Sequence, residues 1–197
     1  MRAFERRTLF GILNMKNFKR SAIPFLLVAA GAAFSSTAHA ADGTVSFVGK
    51  VIASTCSVAG GSDFTVPLPP VSTTALADVG SVAGRSAFSL ALTGCSVGDG
   101  NPVKVGVVFE NGTNVDQSTG RLTIDAGTKA ASGVQINVLD SQQKLIPVGA
   151  QTGASTEMAT IDADGKAKLN YFAEYYAADA VKAGDVNSRV EYSLIYQ

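Results

Sequence analysis

The sequence predicts an all-β sandwich, and three observations support this prediction. Apolar and polar residues alternate with a period of two along much of the chain, which is typical of half-buried strands rather than helices. Runs of Gly, Asn and Asp separate the alternating stretches, as expected for turns between short strands. The chain has 197 residues with no internal repeat or linker, so these strands are predicted to form one domain.

The first forty residues have the parts of a secretory signal peptide. They contain six basic residues and one acidic residue, followed by an apolar run over 22–34 that is short for a membrane span. The run leads to an Ala-His-Ala sequence, and cleavage is expected after Ala40. Met15 is an alternative start, because a basic segment follows it directly. A retained membrane anchor is the alternative to a cleaved signal.

Removal of this leader changes the charge and the chemistry that the chain can support. The remaining 157 residues carry ten basic and fifteen acidic side chains, a net charge of −5. This balance argues against a nucleic-acid partner. The lone histidine, His39, leaves with the leader, so catalytic arrangements that need histidine are excluded. No enzyme activity, cofactor or metal site is expected.

The mature chain keeps two cysteines, Cys56 and Cys95. In an exported protein such a pair most simply forms one disulfide. Closing a loop of this length stabilises the fold by about 4 kcal/mol in the chain-entropy model. A pair of free thiols is the alternative, although no C-x-x-C sequence supports a redox role.

The predicted strands follow one another at short intervals. The alternating runs cover 43–52, 64–68, 88–92, 103–107, 134–138, 168–176 and 189–196. Two stretches are ambiguous. The segment 74–78 is consistent with one helical turn, and 173–183 is consistent with either a short helix or the continuation of an aromatic-rich strand.

Both ends of the mature chain are amphipathic strands. Near the start, one face carries Val45, Phe47 and Val51 with Gly49 between them; near the end, one face carries Val190, Tyr192, Leu194 and Tyr196. An apolar terminal strand leaves a sheet edge that aggregates unless something pairs with it. From the pattern alone, the first run is also consistent with an ordinary first strand whose glycine marks a bulge.

Taken together, these residues resemble the pilin subunits of the chaperone–usher pathway, close to the major subunit of type 1 fimbriae. Residues 43–52 resemble the N-terminal extension of these pilins, and 134–140 resembles their V-Q-I-x-x-L-D strand. Cys56 and Cys95 match the single disulfide of the family. Gly184, fourteenth from the C-terminus, and the penultimate Tyr196 match its C-terminal motif.

The resemblance implies an incomplete immunoglobulin-like sandwich that lacks its last strand. A periplasmic chaperone would first fill the resulting groove, and at the outer-membrane usher the extension of the next subunit would replace it. This donor-strand exchange is a form of β-augmentation. The implied segments are a signal peptide over 1–40, a donor-strand extension over 41–52 and a pilin domain over 53–197.

The resemblance also implies site residues and partners. The donor strand would be formed by Val45, Phe47, Gly49 and Val51, and the acceptor groove with the chaperone-binding strand by Gly184, Val190, Tyr192, Leu194 and Tyr196. Neighbouring subunits, the chaperone and the usher would be the partners, and the product would be a fimbria on the cell surface that supports adhesion.

Two other functions compete with a rod subunit. One is a minor or adaptor pilin, and the other is a carbohydrate-binding adhesin subunit. Tip adhesins of this system typically add a lectin domain, for which 157 residues leave no room. A sugar-binding platform is one interpretation of Tyr171, Phe172, Tyr175 and Tyr176. A place in the core is favoured, because aromatic residues in a strand more often belong to the core. Residues 162–165 faintly resemble the start of a calcium loop, and residues 111–113 are a formal glycosylation sequon. A plain turn is the favoured interpretation of both.

Overall fold

A computed structural model describes residues 44–49, 51, 56–150 and 156–197. The predicted signal peptide and the other positions of the N-terminal extension lie outside the described residues. In the described ranges, the chain forms strands and a single turn of 3₁₀ helix, so the all-β prediction is confirmed. The strands are β1 (Ser57–Val58), β2 (Val82–Thr93), β3 (Lys104–Phe109), β4 (Val115–Asp116), β5 (Arg121–Thr123), β6 (Ser132–Leu139), β7 (Met158–Thr160), β8 (Ala167–Lys182) and β9 (Tyr192–Tyr196).

The strands form two antiparallel sheets. The larger sheet has the order β1-β2-β8-β6-β5-β4, and the smaller has the order β7-β3-β9. In the larger sheet the long strand β8 lies between β2 and β6, with Leu90 opposite Leu169 and Val138 opposite Ala173. In the smaller sheet β3 lies in the centre, and its Val107 is opposite Leu194 of β9.

One hydrophobic core joins the two sheets. Alternate residues of each strand face it, as the period-two pattern predicted. A second, smaller cluster lies around the 3₁₀ turn at Thr73–Leu76, where Leu76 packs with Tyr175 and Ala177. The main core contains Leu90, Leu92, Ile136, Val138, Leu169 and Tyr171 from the larger sheet, and Val105, Val107 and Phe109 from the smaller.

Three local expectations are corrected or resolved. The predicted strand at 64–68 is wrong, because this segment belongs to no strand. Pro67, together with the prolines at 69 and 70, lacks the backbone N–H that a sheet ladder needs. The helical alternative for 173–183 is also wrong, since β8 continues to Lys182. The helical turn expected at 74–78 is the 3₁₀ turn.

A disulfide joins Cys56 to Cys95, with an S–S distance of 2.07 Å, which confirms the predicted pairing. Cys95 lies two residues beyond Thr93, the last residue of β2, and its N–H donates to the carbonyl oxygen of Gly165. Gln197 lies at the same end, where it bonds Lys104 at the start of β3. We call this end the disulfide end. The opposite end, which holds the 3₁₀ turn and Gly184, is called the far end.

Gly184, at the far end, lies where the chain passes directly against another stretch of backbone. A Cβ at this position would meet the backbone of Ala130 and the N atom of Ala131, and would lie 2.6 Å from the carbonyl oxygen of Lys129. Backbone cannot move aside as the end of a side chain can. The close approach therefore explains why this position of the C-terminal motif requires glycine.

Replacement of Gly184 by alanine is expected to destabilise the subunit by about 1–3 kcal/mol, the usual cost of overpacking. Gly112→Ala is the matched control, because a Cβ at Gly112 would meet nothing within 4 Å. The free energy of unfolding of both variants is measured by urea denaturation. Equal stability of the two variants would contradict this account of Gly184.

Candidate functional site

Strand β9 lies at the edge of the smaller sheet and, among the described residues, pairs with a strand on one side only. Gln197 and Lys104 exchange two backbone hydrogen bonds, and Glu110 donates to Glu191. Since antiparallel pairs alternate along a strand, the backbone N–H and C=O of Val190, Tyr192 and Leu194 point away from β3. An edge of this kind is a template for pairing with a further strand.

A groove of about 1040 Å³ runs beside this edge. Val190, Tyr192 and Leu194 form one wall, and the extended segment 62–68 contributes the other. The floor is the hydrophobic core itself, with lining side chains Phe88, Phe109, Leu122, Ile136, Val138 and Ala173. The groove therefore lies where one more strand would complete the sandwich.

The two walls of the groove touch at Tyr192. Its hydroxyl donates a hydrogen bond of 2.7 Å to the carbonyl oxygen of Ser62, and its ring centroid is 6.3 Å from that of Phe64. Phe64 also lies 6.2 Å from Phe88, between ring centroids. Burial, and then the nearby charge of Asp63, raises the pKa of Tyr192 above its ordinary value. We call these contacts of Tyr192 with Ser62 and Phe64 the wall bridge.

The N-terminal segment is exposed and belongs to no strand at residues 44–49 and 51. Phe47 is 92% exposed and Val51 is 99% exposed, and Val45 is exposed too. A Cβ at Gly49 would meet nothing within 4 Å. The interpretation of this segment as an ordinary first strand is therefore wrong for its described residues.

The structure separates the predicted acceptor residues into two groups. Val190, Tyr192 and Leu194 line the groove, whereas Gly184 lies at the far end and Tyr196 lies beside Pro102 in a second, shallow cavity of about 520 Å³. The facing wall and the floor are not among the predicted acceptor residues. The alternation at 64–68 was a usable signal for that wall.

The aromatic residues of β8 do not form one exposed platform. Tyr171 and Tyr175 are buried, and Tyr171 packs edge-on against Phe109 at 5.2 Å between ring centroids. Burial raises the pKa of Tyr171. On the outer face, Tyr176 carries the guanidinium of Arg121 at 3.8 Å from its ring centre. The expectation that these aromatics belong to the packing of the sandwich agrees with this placement.

The remaining candidate sites are structural turns. The carboxylate of Asp162 accepts backbone N–H bonds from Asp164 and Lys166 at 3.0 and 2.8 Å, so it caps the turn at 162–165. Residues 111–113 are exposed, and the last of them, Thr113, is the first residue of a turn. Within the described ranges, no group of three or more His, Cys, Asp or Glu side chains could hold a metal ion. In the same ranges, no helix is long and apolar enough to cross a membrane.

Comparison with known proteins identifies the relatives of this chain. The family model of the type-1 fimbrial protein, A, matches residues 68–197. The chain belongs to the type-1 fimbrial protein family. The major fimbrial subunit SMF-1 of Stenotrophomonas maltophilia is 44% identical over 171 residues, which cover 84% of this chain and 98% of that protein. The F17 fimbrial protein of Escherichia coli is 39% identical over 178 residues, which cover 89% and 98%.

Solved pilus structures share the fold of this fimbrial subunit. The P pilus rod subunit PapA matches with a TM-score of 0.56 at 22% identity, over 72% of this chain and 99% of that one. A subunit of a solved chaperone–usher pilus matches with a TM-score of 0.57 at 23% identity, over 80% and 96%. The predicted immunoglobulin-like sandwich that lacks one strand is thereby confirmed.

The family places this protein in surface fibres. It is a structural fimbrial subunit, exported and assembled into fimbriae, and subunits of this kind polymerise with one another. The resemblance drawn from the two ends of the sequence and its cysteine pair is confirmed.

Ionisation of Tyr192 tests the wall bridge, because a phenolate cannot donate the hydrogen bond to Ser62. Burial and Asp63 raise the pKa above 10.0, so the folded state favours the neutral phenol. This contribution to stability is complete below the unfolded pKa of about 10 and is lost as the pH rises through the folded pKa. Alkaline titration of phenolate absorbance is compared between wild type and Tyr192→Phe. The absorbance difference between wild type and Tyr192→Phe reports the ionisation of Tyr192. This difference is expected to appear at a higher pH in the folded proteins than in the same proteins unfolded in urea. Appearance at the same pH in both conditions would contradict the bridge.

Proposed function

We propose that this subunit polymerises by donor-strand exchange and forms the body of a fimbria that supports cell adhesion. The observation that carries the proposal is the groove over the core beside the edge of β9 that pairs with no other strand in the described part of the chain. The same chain exposes an alternating apolar segment, which is what such a groove requires. Addition of an extended segment to a free sheet edge is β-augmentation. No catalytic activity is proposed.

The donor strand is the extension of a neighbouring subunit. Val45, Phe47 and Val51 insert into the groove, and Gly49 lies where a side chain finds no room. Burial of each apolar side chain contributes roughly 1.5–3 kcal/mol. Three of them give about 5–9 kcal/mol before the cost of ordering the segment. Backbone hydrogen bonds to β9 also fix the direction and the register of the donor strand.

The groove also needs a temporary occupant before assembly, because an exposed core beside a free edge aggregates. We propose that a periplasmic chaperone lends a strand along β9, gripping the strand that bears Val190, Tyr192, Leu194 and Tyr196. Exchange for the donor strand takes place at the outer-membrane usher. On this view residues 1–40 are the signal peptide, 41–52 the donor extension and 53–197 the pilin domain.

A matched pair of substitutions in the extension tests the donor strand. Phe47→Asp places a charge on the face that enters the groove, whereas Val48→Asp places the same charge on the opposite face. Phe47→Asp is expected to abolish fimbriae, since the lost burial alone is about 1.5–3 kcal/mol and a desolvated carboxylate adds to it. Val48→Asp is expected to leave the yield within about twofold of wild type, as exposed substitutions change little.

The yield of sheared surface fimbriae, measured by gel and electron microscopy, is the readout of that pair. Periplasmic levels of each variant show that both are exported and folded. Equal loss of fimbriae in both variants, or normal fimbriae with Phe47→Asp, would show that the alternating face of the extension is not the donor.

The similarity to a major fimbrial subunit favours a rod subunit over the minor, adaptor or adhesin alternatives. A rod subunit is present in many copies per fibre. Quantitative mass spectrometry of sheared fimbriae is expected to find this chain as the dominant protein. A copy number near one per fibre would assign it to the tip or an adaptor position instead.

A further inference from the structure

Asn111 and Gly112 form a reactive pair in the exposed segment between β3 and β4. We propose that Asn111 deamidates in the folded subunit through attack by the backbone nitrogen of Gly112, which makes this position a site of spontaneous modification in assembled fimbriae. The pair begins the sequon at 111–113, to which the proposed assembly gives no role. The inference goes beyond donor-strand exchange and does not depend on it.

The reaction needs only the chain and water. The deprotonated backbone nitrogen of Gly112 attacks Cγ of Asn111 and forms a new N–Cγ bond. The bond from Cγ to the side-chain nitrogen breaks, and ammonia leaves with the proton that the backbone nitrogen gave up. Water then opens the resulting succinimide ring at one of its two carbonyl groups. One opening gives aspartate, and the other gives isoaspartate, in which the main chain runs through Cβ.

Both reacting groups are accessible in the fold. Glycine has no side chain to crowd its own nitrogen, and a Cβ at Gly112 would meet nothing within 4 Å. Asn111 and Gly112 are exposed and belong to no strand. Within the part of the chain that the structure describes, no hydrogen bond occupies the N–H of Gly112 or the side-chain amide of Asn111. Neither group therefore loses a partner when the ring closes.

Contacts on either side keep the pair at the surface. Before it, the carbonyl oxygen of Phe109 accepts the N–H of Gly149 at 3.1 Å, and a Cβ at Gly149 would lie 3.1 Å from Cβ of Asn111. After it, the carbonyl oxygen of Gly112 accepts the N–H of Val115 at 3.0 Å. The folded state thus presents the pair to water, so unfolding is not required for the reaction.

The other asparagines of the described chain lack one or more of these features. Asn114 and Asn137 are buried, and the side-chain nitrogen of each donates hydrogen bonds within the domain. The remaining three are followed by residues other than glycine, and proline has no N–H at all. They are Asn101, Asn170 and Asn187, which precede proline, tyrosine and serine.

Deamidation adds one negative charge beyond the end of β3. The preceding residue, Glu110, donates its backbone N–H to the carbonyl oxygen of Glu191 at 2.8 Å, directly before β9. A carboxylate at 111 therefore lies one residue from this backbone bond, and it follows another carboxylate in the chain. Stored fimbriae are expected to contain a more acidic form of the subunit than freshly made fimbriae.

Peptide mapping of sheared fimbriae tests the site with an internal control. Tryptic cleavage after Lys104 and Arg121 releases one peptide that holds both Asn111 and Asn114. After storage of intact fimbriae in mildly alkaline buffer, modification is expected to be about tenfold or more greater at Asn111, because Asn114 reacts only when local unfolding exposes it. Electron-transfer fragmentation identifies isoaspartate, the product that requires the ring. Freshly sheared fimbriae, digested in parallel, correct for modification during digestion.

Gly112→Val is the matched variant, because its branched side chain crowds the attacking nitrogen but finds open space in the fold. It is expected to slow modification of Asn111 about tenfold or more, since the stiff β-branched residue hinders ring closure. The acidic form is also expected to disappear from isoelectric focusing of stored samples. Electron microscopy establishes that the variant assembles, and the comparison of Asn111 with Asn114 in the wild type needs no variant.

The possible outcomes decide the proposal. Isoaspartate at Asn111, with little change at Asn114, supports it. Absence of isoaspartate from stored fimbriae would overturn it, and formation in the same protein unfolded in guanidinium chloride would show that the fold protects the pair. Equal modification of both asparagines would overturn the assignment to the exposed pair. A glycan on Asn111 would assign the sequon to glycosylation instead.

Discussion

The free edge of β9 is the constraint on which the rest of the molecule depends. A folded chain normally bonds its buried backbone groups and covers its core. Here Val190, Tyr192 and Leu194 direct backbone groups toward a groove whose floor is the core. The sandwich therefore lacks one strand, and under the proposed donor-strand exchange the neighbouring subunit supplies it, so that assembly also completes the fold.

Other parts of the chain keep the groove open. The wall at 62–68 could close the gap only by pairing with β9, and Pro67 and its neighbouring prolines lack the donors for a full ladder. The hydroxyl of Ser86 holds this wall against β2 through a 3.0 Å bond to the carbonyl oxygen of Pro67. The wall bridge joins the two walls at the single residue Tyr192 rather than along a ladder. The groove therefore remains accessible while its width stays defined.

Local pattern predicted part of this structure and long-range contact determined the rest. Alternation located the cores of β3, β6 and β8, because which face a strand residue takes is a local property. It failed at 64–68, since alternation reports one-sided burial and not hydrogen bonding. The bond between Tyr192 and Ser62 and the contact of Gly184 with Lys129–Ala131 join distant parts of the chain, which no local pattern encodes. The missing strand was inferred from family resemblance, since the pattern alone left an ordinary first strand open.

The position of the disulfide has a mechanical consequence. In a fibre built as proposed, tension reaches each domain through its own extension and therefore enters at Cys56. The bond to Cys95 passes this load directly to the end of β2, the second-longest strand of the larger sheet. At the other joint, the donor strand is pulled along its length, so its ladder with β9 is loaded in shear and its bonds resist together. Covalent anchorage at one joint and shear at the other both resist the pulling apart of a fibre under tension.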